Sequence, residues 1–204
     1  LRVRALWGAG RREEAIVGAQ ALDQDYAARW EAARAESGEA DELGEAPEPL
    51  APRLRSAAAD EAGRSLAVQP LVQNKNMCVA TSVAMLLRHA GVAADPAELY
   101  REMGGSVGVA NWQLDRWLEQ RGLEPLDLPV EASAVRAAID AGLPLLATRS
   151  HMLQGHMELI VGYDDAFGEV EVVDPSFGLP YYVAYEHLAP SFANAGDPLV
   201  AIVP

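Results

Sequence analysis

Between Met77 and Leu87 the chain runs without a single charge, carrying only Thr81 and Ser82 as polar side chains among apolar ones. At helical spacing such a run is apolar on nearly every side, so it must be buried nearly all round. Whatever this chain folds into therefore has one helix at its centre, covered by the remaining elements. Cys78, the chain's single cysteine, sits in the first turn of that helix, and Gly91 stops it after Ala90. A length of 204 residues is enough for one domain around such a core, plus a smaller appendage.

The flanking patterns predict what does the covering. Asp95-Pro96 reads as the N-cap and first-turn proline of a helix to Met103, and further helices are expected over 111–121 and 131–141. From Pro144 onward the signal turns to strands, over 144–148, 156–163, 169–173 and 180–184, with turns at Gly168 and Asp174-Pro175. Helices first and strands afterwards predict an α+β domain. Residues 1–37 read separately, as a helix from Arg2 to Ala9, a break at Gly10, a helix from Glu13 to Leu22 and a third starting near Ala27. Residues 38–65 are rich in Gly, Glu, Pro and Ala, with Pro47, Pro49 and Pro52 closely spaced, which predicts an extended connector. The expected organisation is thus a helical segment over 1–37, a linker over 38–65 and the main domain over 66–204. Leu1 opens the chain without Met, in the middle of a helical pattern, and a preceding stretch is expected.

Charge narrows the partners. With 16 Lys and Arg against 30 Asp and Glu the net charge is −14, so a nucleic acid meets repulsion rather than counterion release. No apolar run approaches the ~20 residues that span a bilayer, so no membrane span is expected. One cysteine allows no internal disulfide, which points to a reducing, cytoplasmic setting, and leaves no thiolate cluster for structural zinc. No metal ligands at helical spacing and no phosphate loop are evident, and no cofactor is expected; Gly104-Gly105-Ser106-Val107-Gly108 lacks the Lys-Ser/Thr of a P-loop.

A cysteine in a buried helix is ordinarily structural. At a helix start, however, free backbone N–H groups and the positive end of the macrodipole favour the thiolate. Downstream, Gly155-His156 opens an apolar strand and Asp174-Pro175 closes the next, and adjacent strands of a hairpin can bring imidazole and carboxylate together. His156 would then share a proton with Cys78 while Asp174 orients the ring. Gln73, five residues before Cys78, can supply an amide beside the Cys78 N–H for a developing oxyanion. Among rivals, His89 lies eleven residues along the same helix, ~16 Å away. His151 is read in a loop ahead of the strand and is the competitor to His156, while His187 reads as surface. Glu158 shares a strand face with His156, and Asp164 and Asp165 lie in the following turn, as alternatives to Asp174.

Taken in order, Gln73, Cys78 at a helix start, Gly155-His156 with Val161-Gly162-Tyr163-Asp164, and Asp174-Pro175 resemble the bacteriocin-processing, or double-glycine, branch of the papain-like cysteine peptidases. Trp112-Gln113-Leu114, Gly122-Leu123 and Ala141-Gly142-Leu143-Pro144 sit where that family has a helix, a turn and the proline-led strand before the histidine. The resemblance covers roughly residues 67–185. It implies a papain-like fold, Cys78 as nucleophile, His156 as general base and acid, Asp174 as orienting residue, Gln73 as oxyanion donor, and a peptide or protein substrate, with a leader peptide as one form of it. Two departures stand out: Val79 follows the cysteine where the family has Gly, and Gln73 lies one residue closer to it. Gly10 to Asp23 resembles the middle of a tetratricopeptide repeat, with Tyr26 where that repeat has proline, which implies a protein partner for the N-terminal helices. An amidase or acyltransferase using the same three groups, and a non-catalytic peptide-binding or adaptor module, are the alternatives.

Overall fold

The computed structural model describes residues 2–37, 49–57, 63–151, 154–192 and 197–203. The chain divides into two compact units, Leu1–Glu61 and Ala62–Pro204.

The first unit is helical. Helix α1 spans Arg2–Gly8 and α2 spans Arg12–Ser37, separated by Gly10 in the left-handed conformation (φ 72°). The second and third helices expected from the sequence are one, because nothing between Leu22 and Ala27 breaks a helix: no glycine or proline interrupts the backbone ladder. Val3, Ala15 and Ala19 are buried within this unit. The linker expected over 38–65 falls partly on 38–48 and 58–62, which lie outside the described residues. Where it is described it is not extended throughout: Leu50–Ser56 forms helix α3, with Ala51 and Leu54 buried. Proline misled the sequence reading here. Pro49 is the N-cap and Pro52 lies in the first turn, where a missing N–H costs no intrahelical bond. The Asp23 carboxylate accepts the Leu50 and Ala51 N–H groups, both at 2.8 Å, and so caps α3 from a neighbouring helix.

The second unit has a mixed sheet-and-helix layout built on antiparallel pairings. Helices α4 (Cys78–His89), α5 (Pro96–Glu102), α6 (Asn111–Arg121), α7 (Ala132–Asp140) and α8 (Tyr185–Phe192) surround a seven-stranded sheet. Its strands are β1 (Arg64–Ser65), β2 (Glu124–Leu128), β3 (Leu145–His151), β4 (Gln154–Asp164), β5 (Glu169–Asp174), β6 (Leu179–Ala184) and β7 (Leu199–Val203). They run in the order β2-β7-β3-β4-β5-β6, with β1 also paired to β4. Strands β1, β2 and β7 and helix α8 were not anticipated. In β2, Pro125 argues against a central strand, but β2 lies at the sheet edge, where proline is tolerated. In α8, Pro190 masks the helical signal.

The charge-free helix behaves as its composition demands. Every residue of α4 from Val79 to Leu87 is buried, and its Ser82 hydroxyl donates to the Met157 carbonyl of β4 at 3.1 Å. Two cores result. Val83, Met85 and Leu86 pack with Leu99, Trp117, Met157, Leu159 and Val161, while Ile160 joins Val135, Ile139, Leu188 and Phe192 in the other. Strand β4 is therefore apolar on both faces, as a central covered strand must be. The β4–β5 register shifts between Ile160 and Gly162. Gly162 is required where β1 crosses: a Cβ there would come 2.7 Å from the Arg64 carbonyl oxygen. Leu159, fully buried beneath α4, is the test of this core. Leu159→Ala is expected to lower unfolding free energy by about 2–5 kcal/mol in urea titration. The exposed Val107→Ala should move it by no more than about 0.5 kcal/mol.

Among the described residues no helix is long and apolar enough to cross a membrane.

Candidate active site

Cys78 is the first residue of α4, preceded by Met77 as N-cap and by Asn76 in the left-handed region (φ 63°). Met77 is buried, so this turn is pinned to the core and holds the cysteine at the helix mouth, half-buried. His156 comes from the early part of β4 and Asp174 is the last residue of β5, two strands paired in antiparallel register. His156 Nε2 and Asp174 Oδ1 lie 2.8 Å apart, with both side chains about 15% exposed. The Cys78 thiol lies within electrostatic reach of the same imidazole. Since Nε2 is held by Asp174, Nδ1 is the nitrogen left for sulfur. The structure thus brings together all three residues that the sequence reading had placed in one reaction.

The electrostatics favour charge separation. Burial pushes the Cys78 thiol up, but the His156 hydrogen bond, the N–H groups of Met157 and Val79 and the imidazolium charge outweigh it, leaving the thiol below its ordinary range. His156 is raised to about 9, first by its bond to Cys78 and then, against the cost of burial, by its bond to Asp174 and that carboxylate's charge. Burial raises Asp174, yet His156 and the Ser176 N–H and hydroxyl hold it below the usual carboxylate range. All three shifts run in the direction that favours thiolate, imidazolium and carboxylate. The arrangement can deliver a nucleophilic sulfur and a proton to one reacting centre.

Gln73 lies in the loop ahead of α4. Its backbone N–H donates to the Pro175 carbonyl at 2.7 Å, and its side-chain Nε2 donates to the Ser176 hydroxyl at 3.2 Å. The amide therefore sits beside the Asp174 turn. Ser176 was not singled out from the sequence; only its place after Asp174-Pro175 marked it.

The rivals resolve by distance. His89 reaches the carbonyls of Ala67 (3.4 Å) and Gly142 (3.2 Å), tying the helix C-terminus to two loops. His151 ends β3 rather than lying in a loop, because β3 extends further toward the hairpin than the apolar pattern suggested. His187 lies exposed on α8. Asp165 is engaged by Arg136 at 2.7 Å and Tyr185 at 2.6 Å, and Asp164 caps the turn at Phe167. Glu158 lies 3.9 Å from His156 Nε2, against 2.8 Å for Asp174. It is 2% exposed and its carboxylate is taken by the Tyr181 hydroxyl at 2.5 Å and Arg149 Nε at 3.3 Å. Arg149 stands directly opposite His156 in the β3–β4 register and also stacks over Phe192. This buried cluster of Arg149, Glu158 and Tyr181 was missed because its members come from three strands. His156, Glu158 and Asp174 offer possible metal-ligand atoms within 4.8 Å of one another, but any cation there would compete with the Arg149 guanidinium for Glu158.

Comparison with known proteins bears on the fold and the family. The fold of the second unit is similar to the peptidase domain of Streptococcus ComA, a bi-functional ABC transporter involved in a quorum-sensing pathway. The TM-score is 0.56 at 13% identity, over 67% of this chain and 98% of that one. It is also similar to a double glycine motif protease from an AMS/PCAT transporter, solved in complex with the leader peptide. Here the TM-score is 0.54 at 16% identity, over 69% of this chain and 94% of that one. The fold is therefore the papain-like one that the resemblance implied. No curated protein matches the sequence. The model of the Peptidase C39 like family matches residues 65–196, a span that contains α4, β4 and β5 and every residue of the site above. By that match, and with the fold to support it, the chain belongs to the Peptidase C39 like family.

Proposed function

We propose that the Ala62–Pro204 unit is a cysteine peptidase that hydrolyses a peptide bond with Cys78, His156, Asp174 and Gln73, acting on a substrate that carries a leader segment. The observation that carries this reading is the imidazole of His156, held 2.8 Å from Asp174 and within electrostatic reach of the Cys78 thiol. In the reaction the Cys78 sulfur adds to the carbonyl carbon, and the carbonyl electron pair moves to oxygen. The second Gln73 N–H and the Cys78 backbone N–H receive that oxyanion. His156 passes its proton to the amide nitrogen, the C–N bond breaks, and an amine leaves a thioester on Cys78. Water then adds to the thioester as His156 takes its proton, and the carboxylic product departs from the restored thiolate. Asp174 keeps the ring in the required tautomer throughout.

Support for a leader-bearing substrate comes from the fold neighbour solved with a leader peptide. Within the same reading, 66–204 is the catalytic domain, and the helices of 1–37, with their tetratricopeptide-repeat-like stretch, engage a protein partner. The exposed Val17, Leu22 and Tyr26 of α2 suit that role.

The test is incubation of the full chain with a proteome-derived peptide library, with new N-termini read by mass spectrometry. Cleavage at a recurring sequence, absent with Cys78→Ala, is the expected result. Acyl transfer to added amines or glutamine deamidation without new N-termini would reassign the chain to related acyl chemistry. Binding of peptides without either product would leave only a binding groove.

A further inference from the structure

Among the groups around the site, Ser176 meets His156, Asp174 and Gln73 and takes no part in the reaction proposed above. Ser176 lies two residues beyond Asp174, in a turn closed by the Phe177 and Gly178 N–H groups on the Asp174 carbonyl. Its own N–H donates to Asp174 Oδ1 at 2.7 Å. The same hydroxyl oxygen lies 3.3 Å from His156 Nε2 and accepts from Gln73 Nε2 at 3.2 Å.

The state of Gln73 gives this contact weight. Its Oε1 is buried and makes no hydrogen bond, and the Ser176 bond is the one its side chain forms among the described residues. A buried carbonyl without a donor pulls the amide toward water. The Ser176 hydroxyl opposes that rotation. A hydroxyl has one hydrogen and two acceptor sites. Here one lone pair takes the Gln73 amide and the same oxygen faces His156 Nε2, so the hydroxyl joins the amide to the imidazole that Asp174 orients. Glu158, the other polar group near the imidazole, cannot serve in this way, since it is 3.9 Å from Nε2 and engaged by Arg149 and Tyr181.

We propose that Ser176 is a positioning residue whose hydroxyl locks the Gln73 amide to the His156–Asp174 pair, so that one side chain aligns the oxyanion donor with the base. This rests on the peptidase reading above and adds to it a coupling between two halves of the site. Gln73 and Ser176 are 103 residues apart in sequence, so the coupling exists only in the folded site.

Two probes separate the effects on the full chain. Iodoacetamide alkylates the thiolate without forming an oxyanion. N-acetylglycine p-nitrophenyl ester acylates Cys78 through one: the S–C bond forms, the C–O bond to p-nitrophenolate breaks, and the released p-nitrophenolate is read as a burst. Ser176→Ala is expected to slow the burst by about 10–10²-fold, less than the ~10²–10³ of losing a donor outright. It should leave the pH profile of alkylation in place, because the Ser176 backbone N–H still holds Asp174. Ser176→Thr, which keeps the hydroxyl, should restore the burst. The double variant Ser176→Ala with Gln73→Ala should be no slower than Gln73→Ala alone, the non-additivity of residues acting through one another. A wild-type burst in Ser176→Ala, additive losses in the double variant, or loss of the low-pH alkylation limb together with the burst would each overturn the coupling. A wild-type protein that gives no burst and alkylates like a free thiol would instead overturn the peptidase reading itself.

Discussion

With His156 replaced by alanine, peptide turnover is expected to fall by about 10⁴-fold, the upper end of what a general base contributes. The low-pH reactivity of Cys78 should disappear with it. Burial alone pushes Cys78 up, and the His156 hydrogen bond is the largest effect opposing it. Without the imidazole the desolvation remains and the compensation is gone, so the thiol returns to at least its ordinary range of ~8.5. In the wild type, alkylation by iodoacetamide should persist well below that pH, while the imidazolium partner survives until His156 titrates at about 9. The native state gains stability from this raised group fully below the unfolded histidine range near 6.5. That gain is lost as pH rises through about 9. An alkylation profile in His156→Ala that overlays the wild type would remove His156 from the site.

Gln73→Ala should separate binding of the oxyanion from activation of the thiol. Turnover of peptide is expected to fall by about 10²–10³-fold, the measure of one oxyanion donor, while alkylation by iodoacetamide keeps its rate and its pH profile. KM should change little, because the developing charge is met only in the transition state. Both expectations follow from placement: Gln73 touches the Ser176 hydroxyl and the Pro175 carbonyl, and neither Cys78 nor His156 depends on it for its charge. Full turnover in Gln73→Ala would shift the donor role to another group of the same loop, such as Asn74 or Asn76.

Much of this site was legible because its parts sit where local signals are strong. Cys78 stands at the start of a run with no charge, His156 follows a glycine at the head of an apolar strand, and Asp174 precedes a proline at a turn. Each position is announced by its own element boundary, and chain order did the rest. Where the local signal was contradictory the reading failed. Pro49 and Pro52 suggested an extended linker and instead start α3, Pro125 hid edge strand β2, and Pro190 hid α8. Proline reports only a missing N–H and a fixed φ, and whether that ends an element depends on what lies around it.

The sequence by itself determined that α4 would be central and buried, that β3 to β6 would follow α4 to α7, and which cysteine, histidine, aspartate and glutamine were eligible for chemistry. These are consequences of composition along short windows, where period and charge act locally. Only the tertiary structure decided which carboxylate serves the imidazole. Glu158 and Asp174 were both eligible. The β4–β5 register puts Asp174 at 2.8 Å from His156, while Arg149 from β3 and Tyr181 from β6 draw the buried Glu158 carboxylate to themselves. The same holds for the Ser176 contact with Gln73, made across 103 residues by the turn after β5. Hydrogen bonds act over about 3 Å, and which side chains come within that reach is set by strand register and turn geometry. No single window of the sequence contains either.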